Sequence, residues 1–87
     1  MEVTFSEKAE RDLDAMDKIL QSFFIKHTEK ICVIPPRRHL RFGLPFNVEN
    51  VTKQARMIYT IENNTIYVIR CFAIHKEYER WYLSFKQ

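Results

Sequence analysis

Arg56, His75, Lys76 and Tyr82 have side chains suited to holding an anion and moving a proton. A guanidinium presents a rigid fork of donors to phosphate oxygens. A lysine ammonium neutralises the same charge as a point, without bidentate geometry. An imidazole needs little tuning to exchange a proton near neutral pH. A phenol, with a reference pKa of about 10, needs neighbouring cations before it can act as a base. On a helix, His75, Glu79 and Tyr82 would share one face. Glu49 adds a carboxylate that is either a base or a surface charge on an edge strand. Each residue also has a plainer role. Arg56 would end a strand with its head in water, and Lys76 would sit exposed in a first helical turn. His75 would be structural at a strand–helix junction, and Tyr82 would belong to an apolar stripe.

Metal chemistry is not expected. Cys32 and Cys71 are far apart, form no CxxC pair and lie in apolar stretches, as small buried thiols do. Charge is uneven. Residues 1–29 carry seven acids and four bases, a net of −3, and residues 30–87 carry ten bases and four acids, a net of +6. Such asymmetry points to a polyanionic partner for the second part, with scattered solvated cations as the plain alternative.

These residues must be positioned by a single small domain, residues 1–87. Val3-Thr4-Phe5 alternates like a short strand. Ser6 is a natural N-cap and Glu7 suits the positive end of a helix dipole. Ala9, Leu13, Met16, Leu20 and Phe24 recur at helical spacing, with Ile19 and Phe23 widening the stripe. The break is expected at Asp14–Asp17, where Asp17 can cap a second helix running to about Lys30. Pro35-Pro36 ends that helix. Phe46–Val51, Arg56–Glu62 and Thr65–Ile74 read as strands, the last central and buried on both faces. Asn63-Asn64 is a two-residue hairpin turn. His75–Phe85 reads as a helix whose stripe is Tyr78, Trp81, Tyr82 and Phe85. The fold expected is α+β and two-layer, with the helices packed against one face of the sheet: an N-terminal strand, a helical pair, an antiparallel three-strand meander and a short C-terminal helix. Acids at Glu2, Glu7 and Glu10 spoil a signal peptide, and no apolar run reaches a membrane span, so a cytoplasmic location is expected.

That element order resembles the RelE/ParE toxin superfamily. Leu40-Arg41-Phe42-Gly43-Leu44-Pro45 resembles the family's turn before the meander. Arg56-Met57-Ile58-Tyr59 is similar to its Arg-Leu-Val-Tyr strand, and His75–Tyr82 to the end of its last strand and following helix. The spacing from Arg56 to Tyr82 resembles that of ribosome-dependent, RelE/YoeB-like members. The resemblance implies a type II toxin: a metal-independent endoribonuclease, or mRNA interferase, that cuts mRNA in the ribosomal A site and stops translation. It implies a cognate antitoxin, mRNA and ribosomal RNA as partners, with no cofactor and no membrane. On this resemblance Arg56 and Lys76 meet phosphate, while His75, Tyr82 or Glu49 handles the proton. The family's strand lysines are missing before Arg56. Arg37, Arg38, Arg41 and Lys53 are the candidates to replace them as RNA contacts. Two alternatives share the fold: a ParE-like inhibitor of DNA gyrase and a catalytically inactive binding member.

Overall fold

The computed structural model describes residues 1–33 and 46–86. Its elements are β1 (Glu2–Phe5), α1 (Glu7–Asp14), α2 (Lys18–Val33), β2 (Asn47–Asn50), β3 (Arg56–Glu62), β4 (Thr65–Phe72) and α3 (His75–Leu83), with a closing 3-10 turn at Ser84–Lys86. The four strands form one sheet in the order β1-β4-β3-β2. β2, β3 and β4 are the expected antiparallel meander, and β1 joins β4 in parallel. Thr65–Phe72 is therefore one of the two inner strands, but it ends two residues before the expected Ile74, and Tyr67 and Ile74 are exposed where burial on both faces was expected.

Local chemistry sets the joints. Ser6 Oγ accepts from the Ala9 amide at 3.0 Å and donates to the Ile69 carbonyl at 2.7 Å, so one hydroxyl caps α1 and pins it to β4. Asp17 Oδ1 accepts from the Leu20 amide at 2.8 Å and starts α2, which separates the two helices where Asp14–Asp17 predicted. Asn63 and Asn64 have φ of 49° and 58°, the left-handed pair a tight hairpin turn demands.

Two apolar clusters flank the sheet. Ala9, Phe24 and Ile31 of the helical pair pack on Met57, Tyr59, Ile66, Val68 and Cys71. Ile58 and Phe72 point the other way, against Tyr78 and Tyr82 of α3. Helices thus lie on both faces, where the sequence pattern had placed them all on one. The stripe on α2 is also narrower than expected. Leu20 and Phe24 join the core, but Ile19 and Phe23 are 72% and 40% exposed.

One irregularity decides which β4 side chains meet α3. Ile58 pairs with Arg70 but Tyr59 pairs with Val68, so Ile69 is an extra residue in β4. This bulge reverses the alternation of the strand. It turns Cys71 toward the helical pair and Phe72 toward α3.

Candidate active site

Arg56 opens β3 opposite Phe72, three residues before α3 begins at His75. It lies two residues before Ile58, so the strand's alternation puts both on the face that α3 covers. The start of β3, the loop before it and the N-terminus of α3 therefore share one corner. Lys53 is exposed on that loop and Lys76 is exposed in the first turn of α3.

The guanidinium is not loose in water. Its Nη1 donates to the carbonyls of Ala55 at 2.9 Å, Thr52 at 3.1 Å and Lys53 at 3.2 Å. The loop supplies these three acceptors because Thr52 Oγ1 accepts from the amides of Ala55 (2.9 Å) and Gln54 (3.2 Å). The Val51 amide closes the same loop on the Ala55 carbonyl at 3.0 Å. Nε of Arg56 is shielded and has no hydrogen-bond partner among the described residues. Nη1 is thus held by the backbone and Nε is out of solvent reach, so Nη2 is the end of the fork that neither fact accounts for.

His75 sits over Tyr78, with ring centroids 5.6 Å apart, and Tyr78 stacks on Tyr82 at 6.1 Å. The His75 side chain is 38% exposed, and its Nε2 lies 3.5 Å from Glu79 Oε1. Its Nδ1 is shielded and without a partner among the described residues. Tyr82 is only 8% exposed, held in the cluster beneath α3. The predicted helix face of His75, Glu79 and Tyr82 therefore exists, with the imidazole outside and the phenol inside.

Glu49 does not join this corner. Val48 faces α3, so the next residue on β2 faces α2. There Glu49 Oε2 meets His27 Nδ1 at 2.7 Å and Lys30 Nζ at 3.5 Å. The carboxylate proposed as a base ties the edge strand to α2 on the opposite face. Arg37, Arg38 and Arg41, with the Leu40–Pro45 turn, lie outside the described residues.

Two residues at the corner escaped the sequence reading. Gln54 Oε1 accepts from the His75 amide at 3.4 Å, and Thr52 shapes the loop around Arg56. A Thr two or three residues before its amide partners is the ST-turn pattern, and that was the readable signal. Elsewhere, a cleft of about 610 Å³ opens between α1 and α3, lined in part by Arg11, Arg70, Glu77 and Trp81. It lies on the side of α3 away from His75 and Tyr82.

Two thiol and phenol groups lie outside the site chemistry. Burial, then Glu49, pushes the Tyr59 phenol up to about 12. Burial, then Asp12, pushes the Cys71 thiol to about 12. Both stay protonated near neutral pH. Among the described residues no three His, Cys, Asp or Glu side chains converge as metal ligands, and no helix is long and apolar enough to cross a membrane.

No protein-family model and no curated protein matches the sequence. Solved structures do. A chain of the intact E. coli RelBE toxin–antitoxin complex superposes with a TM-score of 0.69 at 15% identity, covering 80% of this chain and 92% of that one. The YoeB dimer from Staphylococcus aureus gives 0.69 at 20% identity, covering 82% and 93%. The isolated E. coli RelE toxin gives 0.65 at 14% identity, covering 92% and 96%. The chain has the RelE/YoeB toxin fold.

Proposed function

We propose that this protein is the toxin of a type II toxin–antitoxin pair and a ribosome-dependent mRNA endoribonuclease. The supporting observation is the corner itself. A strand arginine anchored by three carbonyls lies on the α3-covered face, at the sheet end where the half-buried His75 begins that helix. The reaction suited to it is attack by a ribose 2′-oxygen on the adjacent phosphorus, with departure of the 5′-oxygen and a cyclic phosphate left behind. Negative charge grows on the phosphoryl oxygens, so a fixed cation lowers the barrier. Arg56 supplies it, and Lys53 and Lys76 add point charges alongside. The N-terminus of α3 is the positive end of a helix dipole and faces the same corner.

The 2′-hydroxyl proton needs an acceptor and the leaving oxygen a donor. His75 is the accessible group for proton transfer. Tyr82 would act from beneath it, as a base-stacking or proton-donating group once the corner opens. Glu49 is left a structural part by its place on the other face. A cognate antitoxin is the expected protein partner, since similar chains come from the RelBE and YoeB–YefM toxin–antitoxin complexes. A cytoplasmic location follows from this role.

The test is primer extension on a defined mRNA in a purified translation system. Wild-type protein should cut within the A-site codon. Arg56→Ala and His75→Ala should each lower the cleavage rate about 100-fold or more. Saturating protein that left the codon intact would overturn the reading. Cuts on free mRNA would remove the ribosome from it, and cleaved DNA trapped on gyrase would favour the ParE-like alternative.

A further inference from the structure

Helix α3 begins without a cap of its own. Its N-cap residue is Ile74, which has no side-chain acceptor for the open amides of the first turn. The acceptor at the His75 amide comes instead from Gln54, twenty-one positions earlier in the chain, at 3.4 Å. Gln54 belongs to the loop whose Thr52, Lys53 and Ala55 carbonyls hold Arg56. Its own amide donates to Thr52 Oγ1, so its backbone is fixed by the turn that shapes that loop. One side chain therefore joins the arginine's holder to the helix end that carries His75 and Lys76.

Resting on the ribonuclease reading above, we propose that Gln54 is a positioning residue for that reaction: its carboxamide caps α3 across the loop and sets the spacing between the Arg56 guanidinium and the His75 imidazole. The physical need is clear. A cation and a proton acceptor must meet the same phosphodiester within a few tenths of an ångström, and misplacement by about 1 Å costs on the order of 100-fold in rate. β3 and β4 fix Arg56 and Phe72 through their ladder. Ala73 and Ile74 then lead to His75 outside any strand, so the helix start lacks that support. Gln54 supplies a fixed point there. Residue 54 is exposed and takes no part in either apolar cluster, so the fold does not need it for burial.

The experiment compares Gln54→Met with Gln54→Glu. Methionine keeps the length and loses the acceptor, and glutamate keeps both. Two readouts are taken: exchange of the His75 amide by NMR, and kcat and KM for A-site cleavage on programmed ribosomes. In Gln54→Met, His75 amide protection should fall several-fold. Its kcat should drop about tenfold with KM and melting temperature unchanged. Gln54→Glu should restore protection, while its added negative charge beside Lys53 and Arg56 holds kcat below wild type. Wild-type kcat in Gln54→Met would overturn the proposal, and so would unchanged amide exchange, whatever the activity. If the wild-type protein cut no mRNA while the amide still responded, the ribonuclease reading would fall. Gln54 would then be a helix cap and nothing more.

Discussion

The contact between Asp12 and Arg70 offers the best-defined perturbation, because its cost can be built from the structure alone. Arg70 Nε donates to Asp12 Oδ2 at 2.8 Å and its Nη2 to Oδ1 at 3.1 Å, a bidentate pair. Oδ2 also accepts from the Cys71 amide at 3.0 Å. The Arg70 guanidinium lies 4.7 Å from the Phe72 ring centre, so its other face is covered too. β1 pairs with β4 only as far as Val68, which leaves room beyond it for Arg70 to reach α1. The hydrogen bonds that Arg70 donates to Asp12, opposed by burial, hold it above the ordinary guanidinium range.

Asp12→Ala removes all three bonds. All three end on an ionised carboxylate, and a charge-assisted bond is worth about 1.5–3 kcal/mol when buried. The side chains are 24% and 17% exposed, so solvent screens the ionic part. The net cost is about 2–3 kcal/mol, since the partner charge can still turn toward water. A domain of this size should lose on the order of 10–20 °C in melting temperature. Urea denaturation of wild type, Asp12→Ala, Arg70→Met and the double variant measures the loss. The cycle should return a coupling of about 1–2 kcal/mol. A cost below about 0.5 kcal/mol, or no coupling, would mean that apolar contacts alone hold α1 to β4.

Two further expectations follow from the same packing. Glu49→Ala should leave A-site cleavage within about twofold, and cost about 1 kcal/mol through the lost contact to His27; a collapse of cleavage at unchanged stability would return Glu49 to the chemistry. Tyr59 and Cys71, both pushed up to about 12 from 10.0 and 9.0, keep their protons longer in the folded state than in the unfolded chain. The folded state then binds more protons above about pH 9, so stability is full below that pH and falls as pH rises toward 12; urea midpoints that stayed flat from pH 8 to 11 would contradict the burial of both groups.

Much of the fold was legible because its signals are local. Ser6 and Asp17 announce their helices by side-chain chemistry, and Asn63-Asn64 announces its turn by tolerance of positive φ. The apolar run from Thr65 to Ile74 pointed to an inner strand, and its first eight residues form one. Ile19 and Phe23 misled because periodicity marks an apolar stripe without saying how much of it a neighbour covers. Placing α3 with the other helices failed for a related reason. Tyr78 and Tyr82 need an apolar face, and the sheet has two.

The corner was half legible, and the missing half is a matter of register. Arg56, His75 and Lys76 were singled out by residue type and by the family resemblance, but a strand's pattern cannot state which face a residue takes. Glu49 follows Val48, and one step along β2 sends it to α2 instead of α3. The bulge at Ile69 is equally silent in the sequence. Without it Phe72 would share a face with Val68, and α3 would lose the ring on which Tyr78 and Trp81 rest. His75 would then begin its helix on a different footing relative to Arg56. The extra residue in β4 and the Gln54 contact act at the two ends of one short span, residues 69–75. The bulge selects the face on which α3 lands, and Gln54 fixes where it starts.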